Sequence, residues 1–492
     1  MTDEFSARTR AANLAAMAER PLDVLVVGGG IVGSWIALTA ALRGYRTGLV
    51  EKGDFASGTS GKTSRLIHGG LRYLQQFRIR VVRQAARERD VLLQIAPDLV
   101  KPLTFLLPVY QDRGPRGWQL RIGLWLYDAL SRDKILPRRL WLPREDALGR
   151  EPKLGREGLV RGVLYSDAIT RDARLVLRVV RAAAGAGVLA ANYARVAEMV
   201  REGGRVVGAQ VLDEETGRSL EVRASVAVNA TGVWVADLQG GANRMELRPT
   251  KGIHVLVPRR RAGNEGAVVL PTPDHRIIFV LPWGDLALIG TTDTAYAEDR
   301  ERVEADAADV DYLLRVVNAS FPDARLTAKD VVSTYAGLRP LVDTGERTES
   351  DISRKHEIIE DPDGLISVAG GKLTTARAMA EGVLARIARR LPPRSPRAAD
   401  TRKVKLDGDG DPGADLRRQT ARCGREEMAL HVDDVLVRRL GLFYEREDQG
   451  VGIAPEVTEV LGEELGWDAS RRARELARFR AIVEASHRWR EG

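Results

Sequence analysis

Cysteine is almost absent from this 492-residue chain, where Cys423 stands alone. A single thiol cannot close an intramolecular disulfide, and it excludes a multi-cysteine zinc site or an iron–sulfur cluster. A reducing, cytoplasm-facing location fits, and no metal is expected. Long apolar runs are missing too. No window approaches the roughly 18 consecutive apolar residues that read as a membrane-spanning helix, so any membrane contact is expected to be peripheral. Residues 1–20 mix acids and bases, lack the continuous apolar stretch of a secretory signal, and read as a short amphipathic helix. There is no internal repeat and no dominant low-complexity tract. Histidine is scarce, at 6 residues, which keeps the set of candidate proton-transfer groups small.

What is present describes an ordinary globular enzyme: 44% hydrophobic residues, 29% charged residues and 48 glycines. The length exceeds the roughly 250 to 300 residues at which single cores stop growing, so two or three domains are expected. Lys plus Arg number 76 against 68 Asp plus Glu, a net charge of +8. That excess favours anionic partners, among which phosphorylated metabolites, acidic lipid headgroups and nucleic acid all qualify.

From Asp23 the chain reads as a buried strand (Val24 to Val27), a glycine turn, a helix from about Ile31 to Leu42, a stop at Gly44 and a second strand ending at Glu51. This is a βαβ opening. A helical stretch from about Phe77 to Gln94 follows, and Pro97 to Pro108 resembles a return into sheet. Residues 109–160 are irregular, basic and rich in tryptophan. Between about 245 and 340, short strands alternate with turns, which suggests a largely antiparallel sheet. A last strand, Leu365 to Val368, runs into Ala369-Gly370-Gly371-Lys372 and a helix. The expected fold is α/β: a Rossmann-like dinucleotide-binding domain from residues 21–100, 160–240 and 331–390, a mainly antiparallel β-sheet substrate or cap domain from 101–159 and 241–330, a Pro- and Arg-rich linker at 391–403, and a C-terminal helical domain at 404–492.

The turn Gly28-Gly29-Gly30-Ile31-Val32-Gly33 has the pattern GxGxxG between a strand and a helix. Such a turn lets the backbone approach a pyrophosphate and aims helix N–H groups at it. Glu51, at the end of the second strand, is placed to accept the hydroxyls of an adenosine ribose. Strand, helix and acid together point to a dinucleotide, with Gly28, Gly30, Gly33 and Glu51 as its ligands. NAD and FAD share this half-site, and the choice between them lies in later glycine junctions. Gly58-Thr59-Ser60-Gly61-Lys62-Thr63-Ser64 offers donors to a long cofactor, though the same composition also suits a solvated loop. Asn229-Ala230-Thr231-Gly232 ends a strand with small residues where a backbone can pass close to a ligand. Ala369-Gly370-Gly371-Lys372-Leu373-Thr374 opens a helix whose positive end, reinforced by Lys372, suits an anionic ring, or is simply a helix cap carrying a lysine.

Read together, these junctions resemble the FAD-dependent glycerol-3-phosphate dehydrogenases, the quinone-linked respiratory enzymes. The likeness runs through Leu66-Ile67-His68-Gly69-Gly70-Leu71-Arg72-Tyr73-Leu74, Ser166-Asp167, Asp172-Ala173-Arg174-Leu175, Lys251-Gly252-Ile253-His254, Ile289-Gly290-Thr291-Thr292-Asp293, Gly337-Leu338-Arg339-Pro340-Leu341 and Gly370 to Thr375. It covers about residues 22–390 in the family's order, and the stretch around Val432-Asp433-Asp434-Val435-Leu436 looks like the family's C-terminal cap. Where the family usually has two acids before Ala-Arg-Leu, this chain has Arg171-Asp172.

The resemblance implies FAD as cofactor and oxidation of sn-glycerol 3-phosphate to dihydroxyacetone phosphate, with electrons passed to a membrane quinone. It adds Thr59, Ser60, Thr63, Ser64, Leu66, Gly232, Gly371, Lys372, Leu373 and Thr374 to the cofactor contacts. Hydride removal from C2 needs a base for the hydroxyl proton and cations for the phosphate. His254 is the favoured base, His68 the second candidate, and Arg339 completes the catalytic set. Arg72 and Arg339 are first choices for the phosphate because guanidinium binds its oxygens bidentately. Tyr73, Lys372 and Arg276 are further substrate contacts.

Trp118, Ile122, Trp125, Leu126 and Ala129 recur at helical spacing amid Arg116, Arg121, Arg132, Lys134, Arg138 and Arg139. Such a helix can lie on an anionic membrane surface, although an apolar stripe more often packs in a core. The resemblance places the protein peripherally on the inner face of the cell membrane, with a homodimer as a possible assembly and no nucleic acid as partner. Three alternatives stand beside this reading: a glycerol-3-phosphate oxidase that uses O2, a basic nucleic-acid-binding flavoprotein, and an NAD-linked dehydrogenase.

Overall fold

A computed structural model describes residues 5–70, 79–111, 123–127, 135–240, 244–272, 276–343, 356–395, 400–408 and 413–491. Arg72 and Tyr73, and Arg116, Trp118, Arg121, Ile122, Ala129, Arg132 and Lys134 of the basic stripe, lie outside the described residues.

Two sheets organise the chain. The first orders Glu357–Glu360, Ile366–Ala369, Ser219–Asn229, Leu22–Val27, Thr47–Val50 and Leu189–Ala191, with Ala194–Glu202 and Arg205–Asp213 extending it as a meander onto Ser219–Asn229. Leu22–Val27 pairs in parallel with Thr47–Val50 and Ser219–Asn229, as a dinucleotide-binding sheet requires. Its side chains alternate between faces. Val24 and Val26 join a core with Trp35, Leu49, Val180 and Met379, while Leu25 and Val27 join Met17, Val211 and Val222 on the other side. The strand is therefore apolar at every position facing a layer, the pattern of a sheet covered on both sides. The helices Ile31–Leu42, Asp172–Gly185 and Ala376–Arg390 supply the first layer.

The expected N-terminal amphipathic segment folds as the helix Ala7–Glu19, and it packs inside the protein. Ser6 caps it by accepting from the Thr9 N–H, and Leu14 and Met17 are buried. Arg10 pairs with Asp213 and donates to the carbonyls of Asn192 and Tyr193.

The second sheet is mainly antiparallel and orders Thr294–Ala295, Thr250–Pro258, Leu286–Gly290, Ile277–Trp283, Ala267–Pro271, Lys101–Tyr110, Leu159–Ile169 and Leu66–Ile67, with Ser333–Arg339 also on Thr250–Pro258 and Leu140–Pro143 also on Leu159–Ile169. One face buries Ile253, Val255 and Val257 against Val310, Leu313 and Val317 of the helix Ala307–Ser320. The other carries Leu256, Leu281 and Tyr335 against Leu436, Phe443, Val457 and Phe479 of the C-terminal helices. His254 alternates onto this second face.

Sheet membership departs from the expected domain division at three strands. Residues 21–100, 160–240 and 331–390 are expected in the dinucleotide-binding unit, yet Leu66–Ile67 pairs with Leu159–Ile169, Leu159–Ile169 with Lys101–Tyr110, and Ser333–Arg339 with Thr250–Pro258. Local patterning marks a strand without naming its partner, which long-range pairing decides. The 391–403 stretch is also more than a tether, because the Leu391 carbonyl accepts from the Tyr45 hydroxyl and Thr401, fully buried, accepts from Arg377.

Buried ion pairs join the C-terminal helices to the rest. Arg438 and Arg439 both bind Asp54, just beyond Glu51, and Arg174 forms a two-pronged pair with Glu427 at 2.6 and 2.9 Å. Arg171, where the family usually has an acid, binds Glu445 and the Leu440 carbonyl. The cation thus serves the contact with the C-terminal part.

Candidate active site

The glycine turn is built without room for side chains. Gly28 has φ +110°, and a Cβ there would lie 2.5 Å from the Ala230 carbonyl oxygen, while a Cβ on Gly33 would lie 1.9 Å from the Gly28 oxygen. Gly30 caps the helix Ile31–Leu42 with no side chain of its own, so the first N–H groups point outward. Ser60 meets them, its Oγ accepting from the Ile31 N–H at 3.0 Å. Glu51 accepts from the N–H groups of Gly29 at 2.6 Å and Gly53 at 2.9 Å. Burial pushes its carboxyl up, and the two backbone donors pull it back. A side-chain-free turn, a helix N-terminus and a carboxylate at the strand end fit the adenosine pyrophosphate half of a dinucleotide.

The other expected cofactor residues divide between loop and scaffold. The Thr59 hydroxyl donates to the Leu338 carbonyl, Thr63 gives both its N–H and its hydroxyl to Asp172, and Leu66 pairs with Ile169. These side chains fasten the loop to the second sheet and to the helix Asp172–Gly185. Gly232 (φ +63°) faces open space, since nothing lies within 4 Å of a Cβ built there. Gly371 has φ +82°, and a Cβ on it would meet the Met379 sulfur at 2.3 Å. Lys372 caps the short helix Leu373–Thr375, and the Thr374 hydroxyl accepts from the His68 N–H at 3.3 Å. The 66–70 and 370–374 loops therefore meet, as the reading of both as cofactor contacts requires.

Asp167 braces that junction from behind. It accepts from Arg89 at 2.8 Å, from the Tyr127 hydroxyl at 2.7 Å and from the Gly69 N–H at 3.3 Å. Burial raises both its carboxyl and the Tyr127 phenol, and Arg89 opposes the first of these. Ser166-Asp167 stood out in the sequence with no role attached, and Arg89 did not stand out at all.

His254 lies across the strand from Tyr335 and from Gly290. Its ring stacks on Tyr335 with centroids 4.7 Å apart and planes 16° apart. A Cβ on Gly290 would fall 2.2 Å from its Cδ2, so only glycine leaves the ring its place. Nε2 is 2.9 Å from the Ser64 hydroxyl, and the buried Nδ1 has no hydrogen-bond partner. Burial, then the charges of Arg339 and Arg65, hold the imidazole well below its usual 6.5.

Arg339 stands on the strand beside it, gripped by Asp293 at 3.0 Å, the Thr291 hydroxyl at 3.1 Å and the Thr292 carbonyl at 2.9 Å. A Cβ on Gly252 would clash with this guanidinium at 2.5 Å. Arg276 sits at a hairpin end with its guanidinium 5.9 Å from the Tyr312 ring. The structure thus gathers Ser64, His254 and Arg339 at one end of the second sheet, and His68 with Thr374 at the loop junction. Tyr335, which stacks on His254, and Arg65 and Tyr444, which lie against Tyr335, carry no sequence signal, because an isolated Arg or Tyr makes no motif.

A parallel sheet with this glycine turn, joined to an antiparallel sheet carrying a buried histidine and an arginine, defines an FAD-dependent oxidoreductase. A family model described as FAD dependent oxidoreductase matches residues 23–386, and one described as the C-terminal domain of alpha-glycerophosphate oxidase matches residues 402–472. Glycerol-3-phosphate dehydrogenase 2 of Mycobacterium tuberculosis is 37% identical, covering 94% of this chain and 88% of the relative. The aerobic glycerol-3-phosphate dehydrogenase of Bacillus subtilis is 38% identical over 78% of this chain and 70% of its own length. The X-ray structure of the glycerol-3-phosphate dehydrogenase from Bacillus halodurans, complexed with FAD, superposes with a TM-score of 0.81 at 29% identity, covering 98% of each chain. The chain belongs to the FAD-dependent glycerol-3-phosphate dehydrogenase family.

Proposed function

We propose that the protein oxidises sn-glycerol 3-phosphate to dihydroxyacetone phosphate and passes the electrons to a membrane quinone. The observation that carries the reading is His254: buried, uncharged, fixed through Nε2 and adjacent to a cation. Bound FAD supplies the two-electron acceptor for the hydride from C2. The imidazole, anchored at Nε2 by the Ser64 hydroxyl, is the group we assign to take the C2 hydroxyl proton. Arg339 faces the phosphate end, its fork held rigid by Asp293 and Thr292, and Arg72, Tyr73, Lys372 and Arg276 complete the phosphate and glycerol contacts. His68 holds the loop junction through its N–H to Thr374. Gly28, Gly30, Gly33 and Glu51 hold the adenosine half of the cofactor. Anaerobic titration of the purified protein with glycerol 3-phosphate tests the reading: bleaching of the flavin absorbance is expected, and an unbleached spectrum refutes it.

The names of the relatives support the dehydrogenase reading, and the quinone is the acceptor we assign to it. The oxidase reading has support of its own, since the alpha-glycerophosphate oxidase of Streptococcus pneumoniae is 36% identical over 78% of this chain. Stoichiometric peroxide during turnover in air decides for the oxidase, and dye or quinone reduction without peroxide decides for the dehydrogenase. A peripheral position on the inner membrane face accords with the described residues, among which no helix is long and apolar enough to cross a membrane. In residues 123–127, Trp125 is 60% exposed while Leu124 and Tyr127 are buried. Sedimentation of the protein with anionic vesicles tests the membrane reading, and a protein left in the supernatant overturns it.

A further inference from the structure

Arg65 is 5% exposed and has φ +59°, in the left-handed region that a non-glycine residue rarely adopts. The surroundings enforce it: the Arg65 N–H donates to the Thr63 hydroxyl at 2.9 Å, and its carbonyl accepts from the Thr170 N–H at 2.8 Å. Its guanidinium carbon lies 4.0 Å from the Trp283 ring centroid, 4.9 Å from that of Tyr444 and 5.7 Å from that of Tyr335. Among the described residues no carboxylate forms an ion pair with it, and Nε has no hydrogen-bond partner. Glu445 acts on it only at longer range. A buried cation normally has an acid beside it, because desolvation is costly, and here ring faces stand in for one. Tyr335 links this cage to the chemistry, since it stacks on His254 and its hydroxyl is fastened to the Thr63 carbonyl at 2.8 Å.

We propose that Arg65 is a positioning residue for the oxidation: caged by Trp283, Tyr335 and Tyr444, it holds the Tyr335–His254 stack in place and stands as a fixed positive charge behind the imidazole. The inference rests on His254 as the proton acceptor. The charges of Arg339 and Arg65 both favour the neutral imidazole, and its conjugate acid gains stability when opposite charge arrives. A phosphorylated substrate brings that charge in its dianion, and glycerol does not. The base is therefore stronger toward the phosphorylated substrate, a selectivity separate from any phosphate contact. Tyr444 belongs to the C-terminal part, which thereby completes the surroundings of the base.

The test is anaerobic stopped-flow reduction of the holoenzyme flavin by glycerol 3-phosphate across the acid and neutral pH range, in wild type, Arg65→Met and Arg65→Lys. A base that must be uncharged loses rate as pH falls through its pKa, and removing a neighbouring cation raises that pKa. The acid limb is expected to move to higher pH in Arg65→Met and to stay in place in Arg65→Lys, with the flavin spectrum unchanged in both. An unmoved limb in Arg65→Met, or an equal move in Arg65→Lys, overturns the proposal. If Arg65→Met does not fold, Tyr444→Leu, which opens the cage to water and screens the cation, is expected to move the limb the same way by less, and an unmoved limb there is equally fatal. His254→Gln separates the two readings. A limb that persists in His254→Gln removes His254 as base, whereas a limb that vanishes there but is unmoved in Arg65→Met removes only the role of Arg65.

Discussion

The Ser64 hydroxyl lies 2.9 Å from Nε2 of His254, across a separation of 190 residues in the chain. One residue belongs to the loop that follows the dinucleotide-binding strands, and the other to the antiparallel sheet. The cofactor loop therefore orients the base directly, and a loop shifted by a bound cofactor carries the imidazole orientation with it. Ser64→Ala is expected to slow flavin reduction about tenfold, the value of one hydrogen bond of about 1.4 kcal/mol, while FAD affinity stays the same. Stopped-flow reduction beside an FAD-release titration measures both, and loss of FAD without loss of rate would return Ser64 to the cofactor.

Removing the base itself has a larger effect. His254→Ala is expected to slow flavin reduction by about 10² or more, the usual contribution of a general base. An unchanged reductive half-reaction shifts the role to His68.

The phosphate contact has its own signature. Arg339→Ala is expected to abolish most of the preference for glycerol 3-phosphate over glycerol, because a cation facing the dianion discriminates only against a substrate that lacks it. Equal losses on both substrates would make Arg339 a brace for Asp293 and Thr292 alone.

The dinucleotide half of the site was legible because its chemistry is local. Glycines that admit no Cβ, a helix start and a carboxylate at a strand end fall between Gly28 and Glu51, and the structure places each where its spacing predicts. Thr59, Thr63 and Ser64 were legible as a loop but not as individuals, since their partners Leu338, Asp172 and His254 come from distant strands and a distant helix. The same holds for Leu159–Ile169 and Ser333–Arg339, whose patterns announced strands without naming the sheet. The Arg65 cage left no trace in the sequence, and of the Arg89–Asp167–Tyr127 brace only Asp167 stood out. The cage joins four separate stretches and the brace three, and an isolated Arg, Trp or Tyr looks alike in a cage, a core or a surface.

Beside its apolar packing on the second sheet, the C-terminal part is attached through buried ion pairs, so it should weaken when one partner is removed. Arg439→Met leaves Asp54 with Arg438 and the Asn192 amide in a fully buried site. Breaking such a pair costs about 3 to 5 kcal/mol, because the remaining charge stays desolvated. Denaturant unfolding is expected to show that loss together with weaker FAD retention, since Asp54 lies three positions beyond Glu51. The double variant Asp54→Asn with Arg439→Met is expected to recover part of it, and a double variant no better than the single one would assign the loss to packing.

His431 gives that same attachment a dependence on pH. Its Nδ1 is 2.9 Å from Glu475 and its Nε2 3.0 Å from Glu215, and it crosses the Tyr193 ring edge-on at 4.6 Å. Burial lowers its pKa, but the two carboxylates and Asp434 outweigh burial and the opposing charge of Arg478, raising it to about 9 from 6.5. A group whose pKa is raised on folding adds stability that is fully present below its unfolded value and is lost as pH rises through its folded value. For His431 the full contribution holds below about 6.5 and is gone above about 9, and a shift of this size corresponds to on the order of 3 kcal/mol. Glu215, whose own pKa is lowered chiefly by the His431 bond against the pull of burial, loses its main partner in the same window. Unfolding midpoints are therefore expected to fall between neutral pH and mildly alkaline pH in the wild type, and to fall much less in His431→Gln, which keeps a donor but no titration. Parallel curves for the two proteins would show that His431 is not the group that titrates.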